Sequence, residues 1–327
     1  MSSTAECSTF EEALRLIADE VALVSSKMLY ALSGASRAEA QRFRNVWPAV
    51  SLERRRRVVG LLVESAESNF ELDFNALLRV TLEDPDDRVR FLSVEGLWED
   101  ESVALVAPLV RIVRHDEAME VRAAAAESLG RFVLLAELGE LAERHASLIR
   151  GTLLEAIDNS DEHVDVRRRA VEAIAYWGED FVRDIIAAAY EEPDEVMRVS
   201  AVFSMGRSAD VFWSSTVQEE LFGSSPAVRY EAARASGELE LKDAVPSLVR
   251  LVSDPDREVQ FAAVAALGQI GGMQAREALE RCCSSADEAM RLTAEDALGE
   301  LELGQQPLNL LAFEASMNED GELKAED

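Results

Sequence analysis

Histidines and glycine-rich loops are the first places to look for catalytic or cofactor chemistry in this chain. The three histidines are His115, His145 and His163, in "RHDEA", "ERHAS" and "DEHVD". No Ser-His-Asp or Cys-His pattern accompanies them. The stretch "GQIGG" at residues 268–272 ends a predicted helix and lacks the preceding strand that a dinucleotide-binding loop requires. The sequence therefore predicts no catalytic residue and no cofactor.

Three glutamates recur at one position of a repeated helix and raise the question of a metal site. They are Glu95, Glu127 and Glu172. Packed helices lie roughly 8 to 10 Å apart, whereas carboxylates that share an ion must converge to within about 2.5 Å of it. The spacing favours a graded acidic trough that attracts basic segments of a partner. The sequence predicts no metal.

Charge and cysteine usage narrow the possible partners and the compartment. The 33 Lys and Arg against 63 Asp and Glu give a net charge of −30, which disfavours nucleic acid as a partner. The first twenty residues lack a basic start and an apolar signal core, and no apolar run approaches the roughly 20 residues of a membrane span. Cys7, Cys282 and Cys283 form no disulfide framework and are expected to be small buried residues or surface thiols. These features predict a cytoplasmic protein without a membrane partner.

The N-terminal end differs in charge from the rest of the chain. Residues 1–60 carry nine Lys or Arg against seven Asp or Glu. Arg54 to Arg57 form the sharpest run, and Arg37, Arg42 and Arg44 lie nearby. One interpretation is a solvated cap that exchanges ion pairs with acidic neighbours, and the other is a site for nucleic acid or an acidic partner.

The three glutamates above lie in a sequence phrase that recurs along the chain. The stretch "DPDREVQFAAVAALGQIGG", residues 254–272, recurs in variant form seven times. Each copy opens with an apolar residue, usually followed by arginine, and from residue 166 the openers recur every 31 residues. The seven openers are Val89, Val121, Val166, Met197, Val228, Val259 and Met290. Such regularity predicts stacked units, each of which buries its apolar face only against its neighbours.

Positions counted from the opener predict one helix per phrase, called here the second helix of a hairpin. Apolar or small residues at offsets 0, 4, 7 and 8 form one helical stripe, and a glycine often follows at offset 9. Asp or Ser three residues before the opener is a good N-cap, and Pro often precedes it. Runs such as "DAVPSLVRLV" predict the first helix of each hairpin.

The pattern D-x-x-V-R-x-x-A-x-x-A-L-G resembles the HEAT-like repeat of the phycobilisome-lyase class over residues 84–303. The resemblance implies an all-α fold, a right-handed α-α superhelix (α-solenoid) of HEAT-like helical hairpins of the ARM/HEAT type. It also implies that the arginine at offset 1 pairs with an acid of a neighbouring repeat, forming a structural ladder. The ladder residues would be Arg90, Arg122, Arg167, Arg198, Arg229 and Arg291.

Three segments are expected. Residues 1–75 would be a helical N-terminal cap with a basic patch, and residues 76–303 seven HEAT-like repeats with a longer insertion at about 131–160. Residues 304–327 would be an acidic, partly disordered tail in which "LNLLAF" could fold back over the last repeat.

Residues at offsets 2, 6 and 10 lie opposite the core stripe and, in such solenoids, line the concave face. Aromatic rings there interleave with charges, which resembles the composition of protein-binding surfaces. A register error of one residue would instead place some of the rings in the core. The predicted groove residues are Phe91, Glu95, Glu127, Glu172, Tyr176, Phe203, Arg207, Tyr230, Arg234 and Phe261.

The residues at offsets 2, 6 and 10 predict a non-enzymatic scaffold or adaptor that binds a protein partner with a basic or extended segment along the groove. The resemblance alone implies two alternatives, a bilin lyase or bilin-handling chaperone and, third, a metal-dependent oxygenase. Related HEAT-like hydroxylases hold iron with His-Glu pairs, and this sequence contains no His-Glu dipeptide. The oligomeric state is not predicted.

Overall fold

The computed structural model describes residues 9–305, which form eighteen α-helices, four short 3-10 helices and no strand. The chain divides into two compact units, Met1–Ala201 and Val202–Asp327. The helices of the first unit are α1 (Phe10–Ala18), α2 (Ser26–Tyr30), α3 (Arg37–Val46), α4 (Leu52–Ser68), α5 (Asn75–Thr81), α6 (Asp87–Glu95), α7 (Val106–His115), α8 (Met119–Glu137), α9 (Glu143–Asp158), α10 (Val164–Ile174) and α11 (Asp180–Glu191). Helix α12 (Glu195–Arg207) contains the division. The second unit continues with α13 (Ser214–Glu220), α14 (Pro226–Glu238), α15 (Val245–Leu251), α16 (Arg257–Ile270), α17 (Met273–Cys282) and α18 (Glu288–Gln305). The 3-10 helices are Trp47–Ala49, Val103–Leu105, Val211–Trp213 and Lys242–Ala244.

Each unit is a stack of helical hairpins in two layers. In the first unit α4, α6, α8 and α10 pack in succession, while α3 contacts α5 and α7 contacts α9. In the second unit α14, α16 and α18 form one layer, and α15 contacts α17. This architecture confirms the predicted all-α fold of stacked hairpins.

Small side chains let the second helices approach closely. Every residue at offset 4 has no exposed surface: Ser93, Ala125, Ala170, Ala201, Ala232, Ala263 and Ala294. At offset 9, a Cβ added to Gly268 would lie 2.7 Å from the carbonyl oxygen of Ala297 and 2.8 Å from its Cβ. Gly130, Gly206 and Gly237 meet the backbone of the next second helix in the same way. Glycine is required here by packing, since these positions lie within helices.

Helix α4 shares the contacts of the second helices although its sequence lacks the phrase. It follows Ser51 at the N-cap, so Arg54 takes the opener position, and Val58 and Leu62 are buried behind it. The Arg54 guanidinium donates hydrogen bonds to the carbonyls of Ile17 (2.7 Å) and Ala22 (2.8 Å), and to that of Leu16. Arg54 thus ties the C-terminal end of α1 to α4.

The long step between the openers at 121 and 166 has a simple origin. Helices α8 and α9 contain 19 and 16 residues, longer than most of their counterparts, and a short turn joins them. The added length therefore lies in these two helices, and no further helix lies between them.

Some predicted features fall outside residues 9–305, namely Cys7 and the segment "LNLLAF". Within the described part of the chain, no helix is long and apolar enough to cross a membrane.

Candidate functional site

Arginines at offset 1 link successive hairpins in the first unit. Arg90 donates two hydrogen bonds of 2.7 Å to the Asp116 carboxylate, and its Nη1 donates to the carbonyl of Asp84 at 2.9 Å. Arg122 binds Glu162 at 3.0 and 2.7 Å in the same manner, and its Nη1 donates to the carbonyl of Asp116 at 2.7 Å. Each arginine therefore joins the turn before its own helix to the next hairpin.

Further ladder positions vary in their partners. Arg167 contacts Glu192, and Arg229 of the second unit donates to both oxygens of Asp254 at 2.9 and 2.8 Å. Arg198 donates to the Tyr190 hydroxyl at 3.0 Å. Arg291 donates to the carbonyl of Ser285 at 3.3 Å.

One arginine of this kind was not predicted from the sequence, namely Arg55, whose Nη1 lies 2.7 Å from Asp84 Oδ2. The sequence feature that indicates Arg55 is the N-cap residue Ser51, four residues earlier. Aligning Ser51 with the N-caps of the other second helices places Arg55 at offset 1. The hydrogen bond from Arg229 holds the pKa of Asp254 below its usual range, and that bond raises the pKa of Arg229. Apart from the exposed Arg198, the arginines at offset 1 are half-buried and already hydrogen-bonded, so they leave little for a ligand.

Of the predicted groove residues in the first unit, Glu95 and Glu127 lie together at a cavity of about 430 Å³. Its lining comes from α4, α6 and α8 and from the residues that follow α6: Glu67, Val94, Glu95, Trp98, Ala124, Glu127, Ser128 and Arg131. The Trp98 side chain is 60% exposed. We call this the Trp98 cavity.

The carboxylates of the Trp98 cavity are poorly compensated. Partial burial raises the pKa of Glu95, and the charge of Glu127 raises it further. Partial burial also raises the pKa of Glu127, against the opposing effect of Arg169, which lies 3.3 Å away. Such perturbed carboxylates in a cleft are typical of functional sites.

Arg131 is the one cation in the lining of the Trp98 cavity. Its guanidinium donates to the carbonyls of Leu97 (2.9 Å) and Asp100 (3.1 Å) and to the Ser128 hydroxyl (2.6 Å). Burial lowers the pKa of Arg131 to about 10. Arg131 therefore serves as a structural tie between the end of α6 and α8.

The other predicted groove residues of the first unit lie apart from the cavity lining. Phe91 is half-buried under Arg88, whose Cζ is 5.1 Å from the ring centre. Tyr176 is half-buried and packs against Gly130. Glu172 differs from the expectation of an open carboxylate, because it is buried and bonded to Arg169 at 2.7 Å.

In the second unit the corresponding residues bind one another. Arg234 lies over both Phe203 and Tyr230, at 5.6 and 5.9 Å from the ring centres. Arg207 lies 5.2 Å from the Phe203 ring and 3.4 Å from Glu238. Phe261 is likewise covered by Arg257, at 5.2 Å. This surface is amphipathic, with half-buried rings under arginines, and its charges are largely paired.

The remaining candidates for metal binding or nucleophilic chemistry are the histidines and cysteines. Among residues 9–305, no group of three or more His, Cys, Asp or Glu side chains could hold a metal ion. His163 serves as the N-cap of α10, where its Nδ1 accepts a hydrogen bond from the Asp165 amide at 3.2 Å. Burial raises the pKa of the Cys282 thiol, which disfavours the reactive thiolate.

Comparison with known proteins gives a family match and several distant structural likenesses. Residues 214–299 match the family model of HEAT repeats. Comparison with curated proteins finds no match. The solved structure of human deoxyhypusine hydroxylase in complex with glycerol is 18% identical, with a TM-score of 0.36 over 82% of this chain and 97% of that one.

Two further structures are E. coli YibA and importin beta. YibA is 16% identical, with a TM-score of 0.43 over 74% of this chain and 96% of that one. Importin beta is 14% identical, with a TM-score of 0.48 over 94% of this chain and 45% of that one. Since every score is below 0.5, these superpositions carry no argument about geometry or function. The family match thus shows HEAT repeats over residues 214–299, within a structure of stacked helical hairpins.

Proposed function

We propose that this chain is a non-enzymatic scaffold that binds a protein partner through its second helices. The observation that carries the proposal is the Trp98 cavity, where an exposed indole and poorly compensated carboxylates lie at one opening. An aromatic anchor among charged residues is typical of binding hot spots. A partner with a basic, extended segment suits this composition.

The side chains of the second unit support the same function by a different chemistry. Rings of Phe203, Tyr230 and Phe261 lie half-buried under arginines, which matches the enrichment of aromatics and arginine in protein interfaces. Removal of Phe203 and Tyr230 would take away apolar contact area while leaving the fully buried stripe of α12 and α14 in place.

The acidic charge of the chain gives the proposal a measurable signature. Charges on a binding surface steer an oppositely charged partner, and salt screens them over about 8 to 10 Å. Binding of a basic segment should therefore weaken as ionic strength rises.

The test is affinity purification of the tagged full-length protein from its native cells, followed by mass spectrometry at low and high salt. We expect one stoichiometric partner that is depleted at high salt and lost with Trp98→Ala or with Phe203→Ala combined with Tyr230→Ala. Phe222→Ala is the matched control, because Phe222 is 62% exposed and lies in the turn before α14. Circular dichroism melts must show that the variants stay folded.

The result that would overturn the proposal is equally concrete. If the folded Trp98→Ala and Phe203→Ala/Tyr230→Ala proteins capture the same partner as the wild type, these surfaces are not the binding site. Recovery of the protein alone with a coloured ligand or a stoichiometric metal would replace the scaffold with a pigment-handling or metal-dependent function.

A further inference from the structure

The Trp98 cavity contains the one exposed tryptophan among residues 9–305. Trp47, Trp177 and Trp213 are 3 to 5% exposed, whereas Trp98, in the turn that follows α6, is 60% exposed. A large indole costs free energy when it is left in water, so its exposure at a cavity indicates a surface that is covered in a complex.

The charge of the cavity comes from three second helices. Glu67 belongs to α4, Glu95 to α6 and Glu127 to α8. Among the described residues, the Glu67 and Glu95 side chains form no ion pair or hydrogen bond, and Glu127 lies 3.3 Å from Arg169. At least two carboxylates therefore have no counter-ion in contact with them.

The cation in the lining does not cancel this charge by contact. All three hydrogen bonds of Arg131 end on the Leu97 and Asp100 carbonyls and the Ser128 hydroxyl. Three of the five N–H donors of Arg131 are therefore bound to groups other than the carboxylates of the cavity.

We propose that the Trp98 cavity holds the side chain of one arginine from the partner, with its guanidinium on the Trp98 indole and its N–H groups directed to Glu95 and Glu127. The proposal rests on the proposed function and adds the chemistry of the anchor residue. A cavity of about 430 Å³ is large enough for one side chain with its stem.

An arginine side chain fits the lining of the Trp98 cavity better than the other possible occupants do. A guanidinium is planar, stacks on an aromatic face and donates to two carboxylates at once, whereas a lysine ammonium is a strongly hydrated point charge. An apolar anchor would bury Glu95 without a contacting counter-ion and Glu127 with Arg169 alone, which is unfavourable. The carboxylates do not form a group that could hold a metal ion.

The experiment is a titration of the ¹⁵N-labelled full-length protein followed by transverse-relaxation-optimised NMR. The probe is the blocked peptide Gly-Ser-Gly-Ser-Arg-Ser-Gly-Ser-Gly, compared with peptides carrying lysine or citrulline in place of arginine. The indole N–H signal of Trp98, assigned with Trp98→Phe, reports binding at the cavity, and backbone amides report it in every variant.

We expect the arginine peptide to bind with a dissociation constant of about 1 mM, to shift the Trp98 indole signal and to outcompete the lysine peptide. Citrulline keeps the shape without the charge and should not bind measurably. Glu95→Gln and Glu127→Gln should each weaken binding about threefold, and Trp98→Ala about fivefold. Glu277→Gln, an exposed glutamate of α17, should leave it unchanged.

Three outcomes would overturn the inference. Equal binding of the citrulline peptide, unchanged affinity in Glu95→Gln and Glu127→Gln, or shifts confined to residues away from the cavity would each exclude an arginine site there. If the partner is still lost with Trp98→Ala in the purification experiment, the proposed function stands and only the arginine anchor fails. If Trp98→Ala retains the partner, the arginine anchor fails, and the proposed function fails with it when Phe203→Ala/Tyr230→Ala retains the partner too.

Discussion

At the scale of single residues, the carboxylates of this protein have opposite energetic roles. Asp254 is buried and hydrogen-bonded to Arg229, which lowers its pKa, whereas Glu95 lies unpaired at a cavity, where partial burial and Glu127 raise its pKa. The first kind stabilises the folded chain at neutral pH, and the second destabilises it unless a cation binds. Substitutions at the two positions should therefore change stability in opposite directions.

Asp254→Asn is expected to destabilise the protein by about 3 kcal/mol, because it leaves the Arg229 guanidinium without its counter-ion. The wild-type contribution of Asp254 is present above its unfolded pKa of about 3.9 and is lost as pH falls through its lower folded pKa. Urea denaturation at neutral and acidic pH measures both effects, with the exposed Asp243→Asn as control. Equal loss in the two variants would contradict the structural role of this pair.

Glu95→Gln is expected to leave the free protein slightly more stable, within about 0.5 kcal/mol, since it removes an unpaired charge from a cleft. Because the folded pKa of Glu95 is raised, its proton uptake favours the folded state as pH falls through that pKa, and Glu95→Gln should remove this pH dependence. The charges that face this group are Glu67, Glu127, Arg169 and Arg88. Thermal melts across pH test the prediction, and a marked drop in stability would show that Glu95 has a structural partner.

At the scale of helices, two contacts determine how neighbouring elements pack. Arg54 fastens α1 to α4 through the carbonyls of Leu16, Ile17 and Ala22. Glycines at offset 9 let each second helix lie against the backbone of the next, as at Gly268 and Ala297. The first contact is polar and single, and the second recurs along the stack.

Arg54→Ala should release α1 without unfolding the repeats. The loss of three hydrogen bonds from a buried guanidinium is expected to raise amide exchange across Phe10–Ala18 at least tenfold, or about 1.4 kcal/mol, while α6 and α8 keep their protection. Hydrogen–deuterium exchange with mass spectrometry measures this. Arg57→Ala, at an exposed position of the same helix, is the control, and similar exchange in both variants would refute the role of Arg54.

Gly268→Ala should destabilise the second unit by about 1 to 3 kcal/mol, because the added Cβ meets the backbone oxygen of Ala297. Gly60→Ala in α4 is the matched control, since an added Cβ there meets no atom within 4 Å and should stabilise the helix by about 0.5 to 1 kcal/mol. Chemical denaturation of both variants and the wild type measures these changes in the free energy of unfolding. A gain of stability at Gly268→Ala would show that the two backbones are not in contact.

At the scale of the whole molecule, the sequence predicted the repeated hairpin because the offset pattern is periodic and directly visible. Ser93 and Ala125 are fully buried at offset 4, as the stripe requires. Helix α4 was predicted only as part of the helical cap and not as a second helix, because arginine occupies its opener position, where burial depends on carbonyls of α1 that no local pattern reveals.

The site was less predictable than the fold. Glu95 and Glu127 were predicted from their shared offset. Trp98 and Glu67 were not predicted, because they line the cavity from positions other than offsets 2, 6 and 10. Glu172 has the same offset as Glu95, yet it is buried against Arg169. Such differences arise from the neighbouring side chains, which the spacing within one helix does not determine.

Binding at the Trp98 cavity is tested by the affinity of the purified partner for the wild-type chain and for the Glu95→Gln/Glu127→Gln variant, determined by calorimetry over a range of salt concentrations. If a basic segment of the partner binds at the Trp98 cavity, the wild-type affinity falls steeply with salt, and the variant binds more weakly with a shallower salt dependence. Glu277→Gln should behave as the wild type. Identical affinities and identical salt dependence in wild type and variant would contradict the account.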